Sequence, residues 1–424
     1  MSSHSKVAVA ALPNIPPGAA TENAQATHAS PNGALLAAIT GSGTLALHMF
    51  VPALPAVAQH FAASAGAAQL TLTVYLIGIA GGQLIYGPLS DRFGRRPVLI
   101  TALSVFLAAT VAAGLAPHLD LLIAARFVQA IGACGGLVLG RAMVRDSAAP
   151  DQAARRLALL VMVMTTAPAL APLIGAQIET WMGWRGIFGV LGVFVTALLI
   201  ASVLTLGETS RTRTALPHLG AMLAVYGRLL ANAEFRGYAV AGACMSTSIY
   251  AFLSASPFLF VDVLHRPMGE VGFYYMAVVV GITMGSWLAS GLAARLGAVI
   301  LLRIGAVCGF VGAAALLLVD MSGWLSVTTM LAAMCVYALG CGMSSPTATA
   351  QAIGVDLKAI GAASGLYGFI QMSFGALCTL LAGFWHGHSA APVAGILLAA
   401  SSTSHFALYF IRRRQARAHP HSML

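Results

Sequence analysis

The 424-residue sequence has little charge. Only 8% of its residues are Asp, Glu, Lys or Arg, whereas 59% are hydrophobic, and the mean hydropathy is +0.86. A soluble globular chain carries about 25% charged residues, because charge has to cover its water-facing surface. The scarcity of charge argues against soluble enzymes, nucleic-acid-binding domains and disordered chains, and it predicts a protein embedded in lipid. The net charge of +10 is attributed to Arg residues kept on one side of the bilayer.

Signatures of catalysis, cofactor binding and metal binding are also missing. The six Cys residues lie in apolar segments without a Cys-x-x-Cys pair, which favours packing roles. Neither Lys6 nor Lys358 completes a P-loop, and there is no zinc-protease motif or nucleophile elbow. His386 and His388 lack further nearby ligands, so we interpret them as a solvated loop. We therefore predict no enzyme, no cofactor and no nucleotide-driven pump, which leaves transport driven by an ion gradient.

The sequence does contain recurring apolar segments of about 20 residues, each long enough to cross a hydrocarbon core of about 30 Å as a helix. A membrane barrel would instead need short alternating strands. We predict an all-α integral membrane protein with twelve transmembrane helices in two pseudo-symmetric six-helix halves. The predicted spans are residues 34–57, 69–89, 97–116, 119–140, 157–180, 186–206, 237–260, 271–293, 299–319, 326–351, 360–384 and 391–411.

The chain is predicted to contain five regions. They are a disordered cytoplasmic tail (1–33), a first six-helix half (34–206), a cytoplasmic linker (207–236), a second six-helix half (237–411) and a basic cytoplasmic tail (412–424). A weak internal repeat supports the two halves, because GPLSDRFG at 87–94 is echoed by SGLAARLG at 290–297. The linker carries Glu208 among mixed charges and is interpreted as solvated.

Basic residues set the predicted orientation. With the N-terminus inside, nearly all of the 22 Lys and Arg residues fall in cytoplasmic segments, and the outer loops hold only Arg185 and Arg266. Arg and Lys near span ends resist translocation, so both termini are predicted to be cytoplasmic. We expect the chain to act as a monomer in the lipid bilayer.

The first cytoplasmic hairpin carries the strongest motif, GPLSDRFGRRP at residues 87–97. Gly94 permits a tight turn, Pro97 suits a helix start, and Asp91 suits a neighbouring helix N-terminus. A loop that only sets topology would need Arg but not this Gly and Asp. The motif resembles the signature of the major facilitator superfamily, and the resemblance implies that Asp91 latches the two halves by facing the helix that begins near 359–361. The residues given conformational roles here are Gly87, Asp91, Arg92, Gly94, Arg95 and Arg96.

Arg126 is the one charged residue that we place deep in a span. Burying it costs roughly 3 kcal/mol, so it is expected to face a polar cavity or a partner, and Gln129 shares its helix face. The alternative is snorkelling toward an outer surface about 10 Å away. The segment is similar to the fourth-helix motif of drug:proton antiporters, which implies that Arg126 and Gln129 take part in proton coupling.

The fifth span contains Pro168, Pro172 and Gly175. The prolines bend the helix, and Gly175 would allow close approach to a helix of the other half. Ordinary helix curvature is the alternative. This segment resembles the antiporter motif of exporters. Together with HMFVPALP at 48–55 and the segment at 141–146 that holds Arg145 and Asp146, it resembles the Bcr/CflA multidrug-efflux branch.

His48 stands where many members of that branch carry an Asp proton carrier. The imidazole is protonatable near neutral pH, so His48 is a candidate for proton coupling, whereas a hydrogen-bonded packing role is the alternative. Wide specificity predicts an apolar cavity with aromatic and Met walls, although lipid-facing or core packing is an alternative for each side chain. The candidates for that wall are Met49, Tyr75, Met162, Met164, Tyr250, Phe258, Tyr274 and Met276.

These features predict a proton-coupled exporter of drug-like or lipophilic small molecules, placed in a bacterial-type inner membrane. Its partners would be the small-molecule substrate and protons. Two other functions remain open from the sequence: an uptake permease for a small organic solute, and a membrane sensor or scaffold that uses the same fold without transport.

Overall fold

The computed structural model describes residues 32–147, 150–210, 219–356, 359–384 and 389–418. The predicted N-terminal tail, apart from residues 32 and 33, lies outside the described residues, and so do His386 and His388. The helices are α1 (Gly33–Phe50), α2 (Leu54–His60), α3 (Ala65–Phe93), α4 (Arg95–Gly114), α5 (Leu119–Ser147), α6 (Pro150–Thr205), α7 (Leu219–Ala231), α8 (Ala233–Thr247), α9 (Ile249–Phe258), α10 (Met268–Leu296), α11 (Ala298–Met321), α12 (Val327–Gly354), α13 (Ile360–Gly383) and α14 (Ala391–Ala418).

Eleven helical segments in the described ranges are long and apolar enough to cross a membrane. One of them runs for 44 residues from Met162 to Thr205, or about 66 Å at 1.5 Å per residue, which is twice the thickness of a hydrocarbon core. Gly183 breaks it with a φ of +71°, a conformation that glycine adopts without steric cost. Its two arms form the fifth and sixth spans, and the all-helical membrane fold with twelve spans is confirmed.

Several helices extend beyond the apolar segments that identify them in the sequence. α3 begins at Ala65, where the Ser64 side chain caps the helix by accepting a hydrogen bond from the Ala67 N–H. α14 continues to Ala418, into the predicted tail 412–424. Capping and helix propensity carry the helices past the lipid, which the hydropathy pattern alone does not show.

Two pairs of helices make the main contacts between the first set of six spans and the second. α3 packs against α13, and α6 packs against α10. A Cβ added to Gly272 of α10 would lie 2.6 Å from the Leu173 Cα of α6. Small residues allow this close approach between membrane helices.

The α3–α13 pair runs antiparallel and defines the two ends of the bundle. At one end Gly66 meets Gly383, since a Cβ added to Gly66 would lie 2.1 Å from the Gly383 O. Further along, the Thr73 and Thr379 hydroxyl oxygens are 2.8 Å apart. Asp91 lies at the opposite end of α3. We name the two ends the Gly66 end and the Asp91 end.

Candidate functional site: a cavity between the two halves

A cavity of about 410 Å³ lies between the two sets of helices. Its walls come from α1, α3, α5 and α6 on one side and from α8, α9, α10, α12 and α13 on the other. Arg141, Thr349 and Ser364, which lie near the helix ends at the Asp91 end, belong to this wall. The cavity therefore extends toward the Asp91 end, while Gly66 and Gly383 are in contact at the other end.

His48 lies in the cavity wall, one helical turn after Thr44 on α1. Its side chain is buried, with Nδ1 2.8 Å from the Thr44 carbonyl oxygen and its ring centroid 6.2 Å from that of Tyr250. A carbonyl only accepts, so Nδ1 carries the proton in this bond, and Nε2 is the nitrogen that can accept a second one. The position agrees with the predicted role, and proton transfer itself remains a prediction.

Arg126 is 0% exposed and lies in an aromatic cage. Its Cζ is 4.2 Å from the ring centroid of Tyr75 and 4.7 Å from that of Phe50. Its Nη1 donates to the Gln129 Oε1 at 2.6 Å, and the Gln129 amide in turn donates to the Thr110 hydroxyl at 2.8 Å. The cation is stabilised by rings and by this amide, so the alternative of snorkelling toward the membrane surface is wrong.

Tyr75 separates Arg126 from the cavity. The tyrosine lines the cavity, and its hydroxyl donates to the Gly43 O at 2.8 Å. Nε and Nη2 of Arg126 have no hydrogen-bond partner among the described residues. The positive charge of Arg126 therefore lies behind the Tyr75 ring of the cavity wall, and two of its nitrogen atoms have no acceptor in the described part of the chain.

The signature motif at 87–97 forms a network at the Asp91 end. Gly94 has a φ of +99° and turns the chain from α3 into α4. Arg95 pairs with Asp91 at 2.7 Å and with Asp146 at 2.9 Å, and it also donates to the Ser90 hydroxyl. The motif thus ties α3, α4 and α5 together within one half.

The predicted latch is not formed in this conformation. The Asp91 side chain is 47% exposed and pairs with Arg95 of its own half. Ala359, at the start of α13, has no side chain that could cap this helix. The contact between Asp91 and α13 remains a prediction for a conformation in which the Asp91 end is closed.

The remaining motif residues lie around this network. Arg92 stacks on Phe93 with its Cζ 5.1 Å from the ring centroid. Arg96 donates through Nε to the Leu206 O at 2.7 Å. Gly87 is partly buried on α3, and Arg145 is exposed on α5.

Glu208 is a member of this network that the charge pattern of the linker does not reveal. Its carboxylate accepts hydrogen bonds from the backbone N–H groups of Arg95 at 2.9 Å and Arg96 at 3.3 Å. It thus caps α4, at the positive end of the helix dipole. Local sequence offers no signal for this contact, because 112 residues separate Glu208 from Arg96.

The proline-rich part of α6 also contributes to the cavity. Pro168 and Pro172 line it. Gly175 faces α1 instead, because a Cβ there would lie 1.9 Å from the Met49 O. The expectation that Gly175 meets the other half is therefore wrong. The interhalf approach on α6 occurs beside Leu173.

Three of the eight predicted wall residues line the cavity: Tyr75, Met164 and Tyr250. The other five do not line it in this structure. Met49 and Phe258 pack in the core, Met162 is 57% exposed, Met276 is partly buried elsewhere, and Tyr274 bonds to Arg266 and Glu270. In that surface cluster, the hydrogen bond with Tyr274 and then the negative charge of Glu270 raise the pKa of the Arg266 guanidinium. Composition does not show which face of a uniformly apolar helix turns inward.

Polar groups that composition does not single out complete the wall. Gln371 donates to the Ser246 hydroxyl at 2.6 Å, and Arg141 donates to the Met164 sulfur at 3.4 Å. Gln83 and Tyr275 also line the cavity. The sequence counts Arg141 among the basic residues that set the orientation and places it in the segment 141–146 that resembles the Bcr/CflA branch, but it does not predict a place in the cavity wall.

A family profile described as Major Facilitator Superfamily matches residues 36–379. The chain belongs to this superfamily. It is therefore a member of a transporter family, in agreement with the absence of enzyme motifs. Multidrug resistance protein D of Escherichia coli is 29% identical over 82% of this chain and 87% of its own length.

A bicyclomycin resistance protein homolog of Haemophilus influenzae is 27% identical over 87% of this chain and 93% of its own length. Such relatives confirm the predicted place in the Bcr/CflA branch. The E. coli xylose transporter XylE is similar in structure, with a TM-score of 0.68 at 17% identity, and the match covers 90% of this chain and 97% of XylE. At that identity the likeness shows the fold, with its two six-helix halves, and no shared substrate.

Proposed function

We propose that this superfamily member is a proton-coupled exporter of drug-like or lipophilic small molecules. The observation that carries the proposal is a cavity between the halves that extends to one end of the bundle and holds His48 in its wall. The relatives named for drug resistance support export of such compounds. Alternating access would move this cavity from one membrane face to the other.

The distribution of charge supports an assignment of the membrane faces. Arg92, Arg95, Arg96 and Arg145 lie at the Asp91 end. The positive-inside rule supports a cytoplasmic position for this end and, with it, for both termini of a protein in a bacterial-type inner membrane. The cavity then faces inward in this structure, ready to take a compound from the cytoplasm or the inner leaflet.

In the outward-facing state, the Gly66 end would be open and the Asp91 end would be closed. α3 and α13 would separate at the contacts between Gly66 and Gly383 and between Thr73 and Thr379. The Asp91 end would close, and Asp91 would then be able to meet the start of α13. Proton entry at His48 from outside and release inside would make the cycle directional.

Transport into everted membrane vesicles tests the proposal, because the cytoplasmic face then points outward. We expect accumulation of a lipophilic compound when the lumen is acidified, and loss of accumulation when nigericin collapses the pH gradient. His48→Gln should abolish this gradient-driven accumulation. His118→Gln, at an exposed position outside the cavity, is the matched control.

The outcomes separate the other functions. Gradient-driven depletion of the lumen would mean uptake in the cell, and no movement under any gradient would favour a sensor or scaffold. Undiminished proton-driven export by His48→Gln would exclude His48 as the proton carrier.

A further inference from the structure

We propose that the cavity selects amphipathic compounds with an anionic or neutral, acceptor-rich head group and rejects cations, with Arg141 as the side chain that binds the head group. The inference rests on the proposed function in one respect, because it takes the cavity to be the substrate site. The relatives' names do not specify the charge of a substrate.

The wall of the cavity carries positive charge without a balancing carboxylate. Arg141 is the one permanently charged side chain among the described residues that line it, and none of those residues is Asp or Glu. The cation of Arg126 lies directly behind the Tyr75 ring of the same wall. A cavity with low-dielectric walls and charge of one sign attracts the opposite sign and repels its own.

The described acidic side chains at this end of the bundle do not line the cavity. Asp91 and Asp146, at the end toward which the cavity extends, both pair with Arg95. Arg141 itself donates only to the weak Met164 sulfur acceptor in the described part of the chain, and its exposed side chain belongs to the cavity wall. Its remaining donors are therefore available to a ligand, and a guanidinium matches a carboxylate, sulfonate or nitro group.

The cavity is polarised along its length. Its deep part is built from rings, including Tyr75, Tyr250 and Phe252, which suit an apolar body. Its part near the Asp91 end adds Arg141 and hydroxyl groups such as that of Thr349. An amphipathic molecule would fit with its rings deep and its acceptor-rich head toward Arg141.

Three probes that share one naphthyl ring test the proposal: 1-naphthylacetate, 1-naphthylacetamide and 1-naphthylmethylammonium. Each is tritiated, and its dissociation constant is measured on the purified full chain in nanodiscs of uncharged lipid, with empty nanodiscs subtracted. We expect the anion to bind at least about tenfold tighter than the cation, as expected for one charge-assisted hydrogen bond. A cation that binds as tightly as the anion overturns the proposal without any variant.

Variants identify the residue responsible. Arg141→Gln should lower the preference for the anion over the cation, whereas Arg141→Lys should retain it. Arg295→Gln removes a positive charge from the exposed surface near the same end and should leave the preference unchanged. An undiminished preference in Arg141→Gln overturns the role of Arg141.

Failure of this inference and failure of the proposed function are distinguishable. Binding is measured without a gradient, so an intact anion preference together with absent proton-driven movement overturns only the transport proposal. Proton-driven export of the cationic probe, with no binding of the anion, overturns only the charge selectivity.

Discussion

Replacing Glu208 should destabilise the first half of the protein, because this one carboxylate holds the start of α4 and the chain that follows α6. It accepts the backbone N–H groups of Arg95 and Arg96, and also those of Thr209 and Ser210 at 3.0 and 2.9 Å. Loss of a side-chain cap costs about 0.5–2 kcal/mol, and loss of a carboxylate at a helix N-terminus costs about 0.3–1 kcal/mol more. We therefore expect Glu208→Ala to lose about 2 kcal/mol. Glu208→Gln, which keeps an oxygen acceptor but no charge, should lose about half as much.

The assay can use the cysteines already in the protein. The six Cys residues are free, and four of them are fully buried. A thiol-reactive fluorophore therefore reports unfolding of the purified protein in detergent as the temperature rises. At about 2.1 cal/mol/K of unfolding entropy per residue, a loss of about 2 kcal/mol lowers the midpoint of a chain of this length by about 2 °C.

Asp262→Asn is the control, because it removes a carboxylate from an exposed position. It should leave the midpoint unchanged, and Glu208→Gln should fall between the control and Glu208→Ala. Equal midpoints for Glu208→Ala and the wild type would refute the capping role. A large loss in the control would show that net charge, rather than the cap, sets the stability.

Three further outcomes follow from the described contacts. Gln129→Leu removes the amide that accepts from Arg126, so it should cost about 1–3 kcal/mol in the same thermal assay, while Gln129→Glu should retain folding. Cys residues at Thr73 and Thr379, in a background without other Cys, should cross-link under oxidation and stop vesicle transport until a reductant is added, since their oxygens are 2.8 Å apart. Transport that persists after complete cross-linking would contradict the proposed opening between α3 and α13. Gly272→Val should lower transport more than Gly272→Ala, measured at equal protein level, because even a Cβ there meets α6; equal activity of the two variants would contradict the close approach.

Much of the fold is determined by the sequence alone. Every span is an apolar segment long enough to cross the hydrocarbon core, and unpaired backbone groups in lipid leave helix as the available structure for such segments. The turn between α3 and α4 can also be predicted from the sequence, because it depends on Gly94 and on the charged residues of the signature motif, which are adjacent in the chain. The importance of Arg126 can also be predicted from the sequence, because a lone charge among apolar residues requires a partner.

Which residues meet across the molecule was decided only by tertiary structure. Met49 and Tyr75 are equally buried and equally plausible as wall residues in the sequence, yet only Tyr75 lines the cavity. Glu208 looks solvated in the linker, but it caps α4, and Arg141 looks like a topology signal, but it lines the cavity. Helices with both lipid-facing and core-facing apolar sides have no strong periodicity, so their rotation about the helix axis is set by packing against distant helices rather than by local sequence.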